Sequence, residues 1–76
     1  MKELLTSIAK NLVDDPDAVS VTERDDGDRI VLELRVAQGD MGKVIGRQGR
    51  IAREIRTLIR AVAQRKGQHV SVDIVD

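Results

Sequence analysis

Apolar residues along this chain of 76 switch between helical and alternating spacing, and the order of those switches limits the fold more than any other property. Leu4, Leu5, Ile8 and Leu12 recur at helical spacing among Lys2, Glu3, Lys10 and Asn11, which predicts an amphipathic helix over residues 2 to 13. Asp14-Asp15-Pro16 should end it, because proline disfavours a helical residue before it and acidic side chains are unfavourable at a helix C-terminus. Val19 and Val21 alternate with Ser20 and Thr22. Ile30, Leu32, Leu34 and Val36 alternate with Val31, Glu33 and Arg35, so two half-buried strands are expected. Asp25-Asp26-Gly27-Asp28 between them tolerates positive φ and predicts an antiparallel hairpin. Asp40 is then expected to cap a short helix over Met41 to Ile45 that Gly46 stops. Ile51, Ile55, Leu58, Ile59 and Val62 mark a long helix ending at Gly67, and Val70, Val72 and Ile74 alternate as a third strand.

The order α-β-β-α-α-β predicts an α+β domain, a three-stranded mixed sheet covered on one face by three helices. The sheet should be mixed because two helices between the second and third strands leave enough chain for a parallel crossover. So short a chain supports one domain, residues 1 to 76. With 41% hydrophobic residues and no Phe, Trp or Tyr, its core must be built from Val, Ile, Leu, Ala and two Met. No cysteine is present, which excludes disulfides and Cys-ligated metals and suits a reducing cytoplasm, the location expected here. Polar residues fall in every turn of the N-terminal helix, so neither a signal peptide nor a membrane span is expected.

Net charge is zero, but its distribution is uneven. Residues 1 to 38 hold 5 basic and 9 acidic side chains, residues 39 to 66 hold 8 and 2, and residues 67 to 76 hold 0 and 2, for net charges of −4, +6 and −2. The cationic segment contains Val44-Ile45-Gly46-Arg47-Gln48-Gly49-Arg50, in which two glycines separate a very short helix from a long one. Glycine lets the chain reverse there and lets a polyanion backbone approach without meeting a Cβ. The long helix begins just after Gly49, so its unpaired N–H groups and positive dipole end face whatever sits on the loop. Lys43, Arg47, Arg50 and Arg53 add formal charge at the same point, while Val44, Ile45 and Ile55 are expected to line a groove suited to unstacked bases.

Ile45-Gly46-Arg47-Gln48-Gly49 resembles the Ile-Gly-x-x-Gly signature of the KH-domain family. With the preceding Asp40-Met41-Gly42-Lys43-Val44 and the following Arg-Ile-Ala-Arg-Glu-Ile, it is similar to the small stand-alone bacterial KH proteins of the KhpA type, and the resemblance covers essentially the whole chain. It implies the type II KH fold and a loop that clamps about four nucleotides of single-stranded RNA or DNA. The site it implies runs through Lys43, Val44, Ile45, Gly46, Arg47, Gln48, Gly49, Arg50 and Arg53. It further implies an RNA chaperone or post-transcriptional regulator. The implied partners are a second copy or a larger KH-containing protein linked to cell elongation and division. One departure is Ala52, where many KH domains carry Ile; less apolar wall there predicts weak base selectivity and an affinity dominated by the backbone.

Other chemistries find little support. Gly42-Lys43 lacks the remaining residues of a phosphate-binding P-loop, with Ala37 and Val44 at the required positions. The acidic residues from Asp14 to Asp28 fit no Ca²⁺ loop and are explained by turn chemistry. His69 and the serines Ser7, Ser20 and Ser71 have no base or ligand set at useful spacing, so a binding protein without cofactor or metal is expected, not an enzyme. Arg56 and Arg65 read as a solvated helix face. The rival expectation is an interaction module that pairs through the long helix, where any of Ile51, Ile59 and Val62 left exposed would form an apolar patch.

Overall fold

The computed structural model describes residues 1 to 75; Asp76, the last residue of the expected domain, lies outside the described residues. Helix α1 (Lys2–Leu12) is followed by strands β1 (Ser20–Asp25) and β2 (Ile30–Arg35), helices α2 (Met41–Ile45) and α3 (Arg50–Arg65), and strand β3 (Val70–Ile74). Single 3-10 turns at Pro16–Ala18, Gln38–Asp40 and Arg47–Gly49 lie between them. β1 and β2 are antiparallel, with Ser20 opposite Arg35. β3 lies parallel to β2, with Ile30 opposite Val70, so the sheet is mixed and β2 is its centre. The hairpin turns as its sequence predicts: Gly27 has φ 89°, and its N–H donates to the Asp25 carboxylate at 2.8 Å.

The helices cover the sheet face that carries Val21, Leu32, Leu34, Val70 and Val72, against which Leu5 and Ala9 of α1 and Ile55, Ile59 and Ala63 of α3 pack. Leu5, Leu32, Leu34 and Ile59 are fully enclosed, each worth roughly 1.5–3 kcal/mol of burial. Val31 points to the other face yet is also buried. Arg24 stands opposite it in β1, and the Arg24 guanidinium reaches Glu33, on the same face of β2, at 2.9 Å.

Two expectations are corrected. α3 buries Ala52, Ile55, Ile59 and Ala63, while Leu58 is 47% exposed and Ile51 and Val62 are only half-buried. Alanines take two of these buried positions, Ala63 in the core against the sheet, and the buried stripe is thereby rotated from the one expected of the larger residues. Asp40 does not cap α2 through its side chain. At φ −102° and ψ −1° it is already in a helical conformation, unlike the extended conformation of an N-cap. Its carboxylate instead accepts the N–H of Asp15 at 3.0 Å, joining the start of the α1–β1 connection to the start of α2. The far end of α3 stops as predicted at Gly67, φ 71°, with the Gln68 N–H returning to the Ala63 carbonyl at 2.9 Å.

Candidate nucleic-acid interface

The loop between α2 and α3 is set by three residues with positive φ. Gly46 sits at φ 75° and ψ 177°, Gln48 at φ 57° and ψ 27°, and Gly49 at φ 74° and ψ 16°. The Gly46 N–H closes α2 on the Gly42 carbonyl at 2.9 Å, and the Gly49 N–H returns to the Gly46 carbonyl at 3.2 Å. The two glycines differ in purpose. A Cβ at Gly46 would lie 2.6 Å from Cγ1 and 2.9 Å from Cβ of Ile51, so Gly46 is required by the chain's own packing. A Cβ at Gly49 would meet nothing within 4 Å, so Gly49 is the place where another molecule's backbone can come close.

Gly49 is the N-cap of α3 and has no side-chain cap, which leaves the positive end of a 16-residue helix facing the loop. Arg47, Arg50 and Arg53 are exposed around it, and none forms an ion pair among the described residues. Lys43 is placed differently. Its Nζ lies 3.1 Å from Asp14 Oδ2 and 3.5 Å from Asp40 Oδ1, so it fastens α2 to the end of α1. The hydrogen bond and charge of Asp14, reinforced by Asp40 against a smaller effect of burial, raise the Lys43 ammonium above its ordinary pKa of 10.5. Burial pushes the Asp40 carboxyl up, but the N–H groups of Asp15 and Asp14 and the Lys43 ammonium outweigh it and leave the carboxyl below 3.8.

The linkage has opposite signs at the two ends. A raised lysine stabilises the fold fully below its unfolded pKa and loses that contribution as pH rises through the folded value, above 10.5. A lowered carboxylate stabilises the fold above its unfolded pKa and loses that contribution as pH falls through the folded value, below 3.8. Across neutral pH the fastening is intact. Thermal melts from about pH 7 to about pH 11 should show a Tm that falls at the alkaline end in the wild type, and a flatter limb in Lys43→Met.

The apolar residues expected beside the loop are mostly enclosed. Val44 is fully buried and Ile55 nearly so, so both support the loop from beneath, whereas Ile45, 37% exposed, is available at the surface. Ala52 is buried as well, so it forms no exposed groove wall and its small size serves helix packing. Of the three residues from which an apolar patch was expected if exposed, Ile59 is enclosed and Ile51 and Val62 are half-buried; the exposed apolar side chain on this helix is Leu58, in a shallow groove with Ile8, Leu12 and Ile51 between α1 and α3. Arg56 is not simply solvated, since its Nε donates to the Val72 carbonyl at 3.1 Å on the open edge of β3. Contacts such as Asp40 to Asp15 and Arg56 to Val72 join residues 25 and 16 positions apart and leave no periodic signal in the sequence. Among the described residues no helix is long and apolar enough to cross a membrane, and no cluster of acidic and histidine side chains is placed to hold a metal.

Comparison with known proteins agrees with this fold. A family model described as KhpA/KhpB, KH domain, matches residues 2–74. The chain is 56% identical over 75 residues to a protein of Clostridium acetobutylicum named RNA-binding protein KhpA, covering 99% of this chain and 100% of that one. It is 49% identical over 76 residues to the protein of the same name from Halalkalibacterium halodurans, covering 100% of both. Among solved structures, a crystal structure of Aquifex aeolicus Era superposes with a TM-score of 0.65 at 20% identity. That match covers 96% of this chain and 28% of the other, and the likeness is one of fold.

Proposed function

Because the chain belongs to the KhpA/KhpB KH-domain family, we propose that it binds single-stranded RNA with low sequence specificity by seating the phosphate backbone on the Gly46–Gly49 loop, as an RNA chaperone or post-transcriptional regulator. The α-β-β-α-α-β order is that of the type II KH fold. The observation that carries the proposal is the open approach at Gly49, beside an uncapped helix N-terminus and three arginines with no ion-pair partner among the described residues. Phosphates can be held there by backbone N–H groups and by charge at once. Base selectivity should be weak, since Ile45 is the one large apolar side chain exposed at the loop and the chain has no aromatic residue on which to stack a base.

Salt dependence tests the proposal. Four cations, with Lys43 included, would give a log–log slope of roughly −3 on single strands; with Lys43 engaged by Asp14 and Asp40, three remain and the slope should be roughly −2. Fluorescence anisotropy on an unstructured tetranucleotide, which fills the loop alone, measures it at several salt concentrations. An affinity unchanged by salt would overturn the proposal.

A second reading, compatible with the first, is a module that pairs with itself or with a larger KH-containing partner in the control of cell elongation and division. Exposed Leu58 beside Ile8, Leu12 and Ile51 favours it. Sedimentation at several protein concentrations decides self-association.

A further inference from the structure

α3 has two unlike flanks. Toward α1 it presents Leu58 and Glu54, the only acidic residue on this helix. Toward β3 it presents Arg53, Arg56, Arg60 and Gln64, spaced by 3, 4 and 4 residues and therefore on one stripe. The Arg56 hydrogen bond to the Val72 carbonyl fixes that stripe against the sheet edge. The stripe starts beside the Gly46–Gly49 loop and ends in a second concavity, of about 210 Å³, between the end of α3, the start of β3 and the hairpin.

Arg29, Arg60, Gln64, Gln68, His69 and Ser71 line this cleft. No carboxylate lines it, and neither arginine has an ion pair or a side-chain hydrogen bond among the described residues. Its lining includes two guanidinium groups, two amides, an imidazole and a hydroxyl, a set rich in donors that suits an anion. Arg60 lies ten residues beyond Arg50, about 15 Å along the helix, so the cleft cannot hold the same phosphate as the loop.

We infer that this cleft is a second phosphate subsite, which takes the backbone of the same RNA strand where it runs along the arginine stripe past the nucleotides held on the loop. The inference rests on the proposed RNA binding. It adds an account of how affinity grows with strand length in a protein with a net charge of zero.

The test compares a labelled tetranucleotide, which fills the loop alone, with an unstructured 12-nucleotide strand, on the wild type and on Arg29→Gln/Arg60→Gln. The double variant should bind the tetranucleotide as the wild type does and bind the longer strand about tenfold more weakly. Its salt slope on the longer strand should be shallower by about 1.4, the contribution of two phosphates. Should the double variant fold poorly, each single variant is expected to show about half of that change in slope. Equal binding of the long strand by variant and wild type overturns the inference, and so does an equal loss on both lengths. An Arg47→Asp/Gln48→Asp variant separates the two claims. If it still binds the long strand, and that binding is lost on removing Arg29 and Arg60, the cleft stands and the loop proposal fails; if the wild type binds neither strand, both fail.

Discussion

Gly46→Ala should be the most damaging single-methyl change in the loop, lowering stability by about 3 kcal/mol or more in urea melts. Its φ of 75° with ψ of 177° is a conformation nearly restricted to glycine and costs other residues on the order of 1–3 kcal/mol. The added methyl would also stand 2.9 Å from Cβ of Ile51, an atom fixed to the backbone of α3, so no rotamer change can relieve the contact. Against a total stability of roughly 4–11 kcal/mol for a domain of this length, much of the protein would be unfolded or its loop displaced. Gly49→Ala is the internal control. It has the same sign of φ but open space around the new methyl, so it should cost about 1–2 kcal/mol. A Gly46→Ala variant no less stable than Gly49→Ala would overturn the assignment of Gly46 to packing against Ile51.

That asymmetry was hidden in the sequence, where the two glycines look alike. The element order was readable because helix and strand periods differ and because Asp-Gly and Gly67 mark reversals by local chemistry. The rotation of α3 was not readable. Alanine fits a core or a surface, and only tertiary packing buries Ala52 and Ala63 while Leu58 faces outward. The strand alternation was likewise right for the packed face and silent on Val31, which lies on the other face and is buried all the same.

The candidate site shows the same division. Two glycines flanked by arginines announce a cationic reversal, and the loop conformation follows from residue types that accept positive φ. Charge partners are a tertiary matter. Lys43 counts as a loop cation by its position, but Asp14 and Asp40 converge on it from the end of α1 and the start of α2. Nothing in the spacing of Asp14, Asp40 and Lys43 distinguishes this fastening from turn chemistry at one end and a helix cap at the other.

The Arg47→Asp/Gln48→Asp variant should lose RNA affinity by roughly 100-fold or more while melting at nearly the wild-type temperature, because the chemistry that binds phosphate and the chemistry that builds the loop diverge at these two positions. Replacing a cation and a neutral amide by two carboxylates lowers the loop's charge by three, next to where phosphates would lie, and each like charge at close range costs about tenfold in affinity or slightly less. The fold should tolerate the change. Both side chains are exposed, Asp accepts the φ of 57° found at position 48 better than Gln does, and carboxylates just before the N-terminus of α3 favour its dipole. Circular dichroism and thermal melting check the fold, and anisotropy on single-stranded RNA checks binding. Full affinity in a folded double variant would place RNA binding away from the Gly46–Gly49 loop, and the cleft at Arg29 and Arg60 would then be the surface to test first.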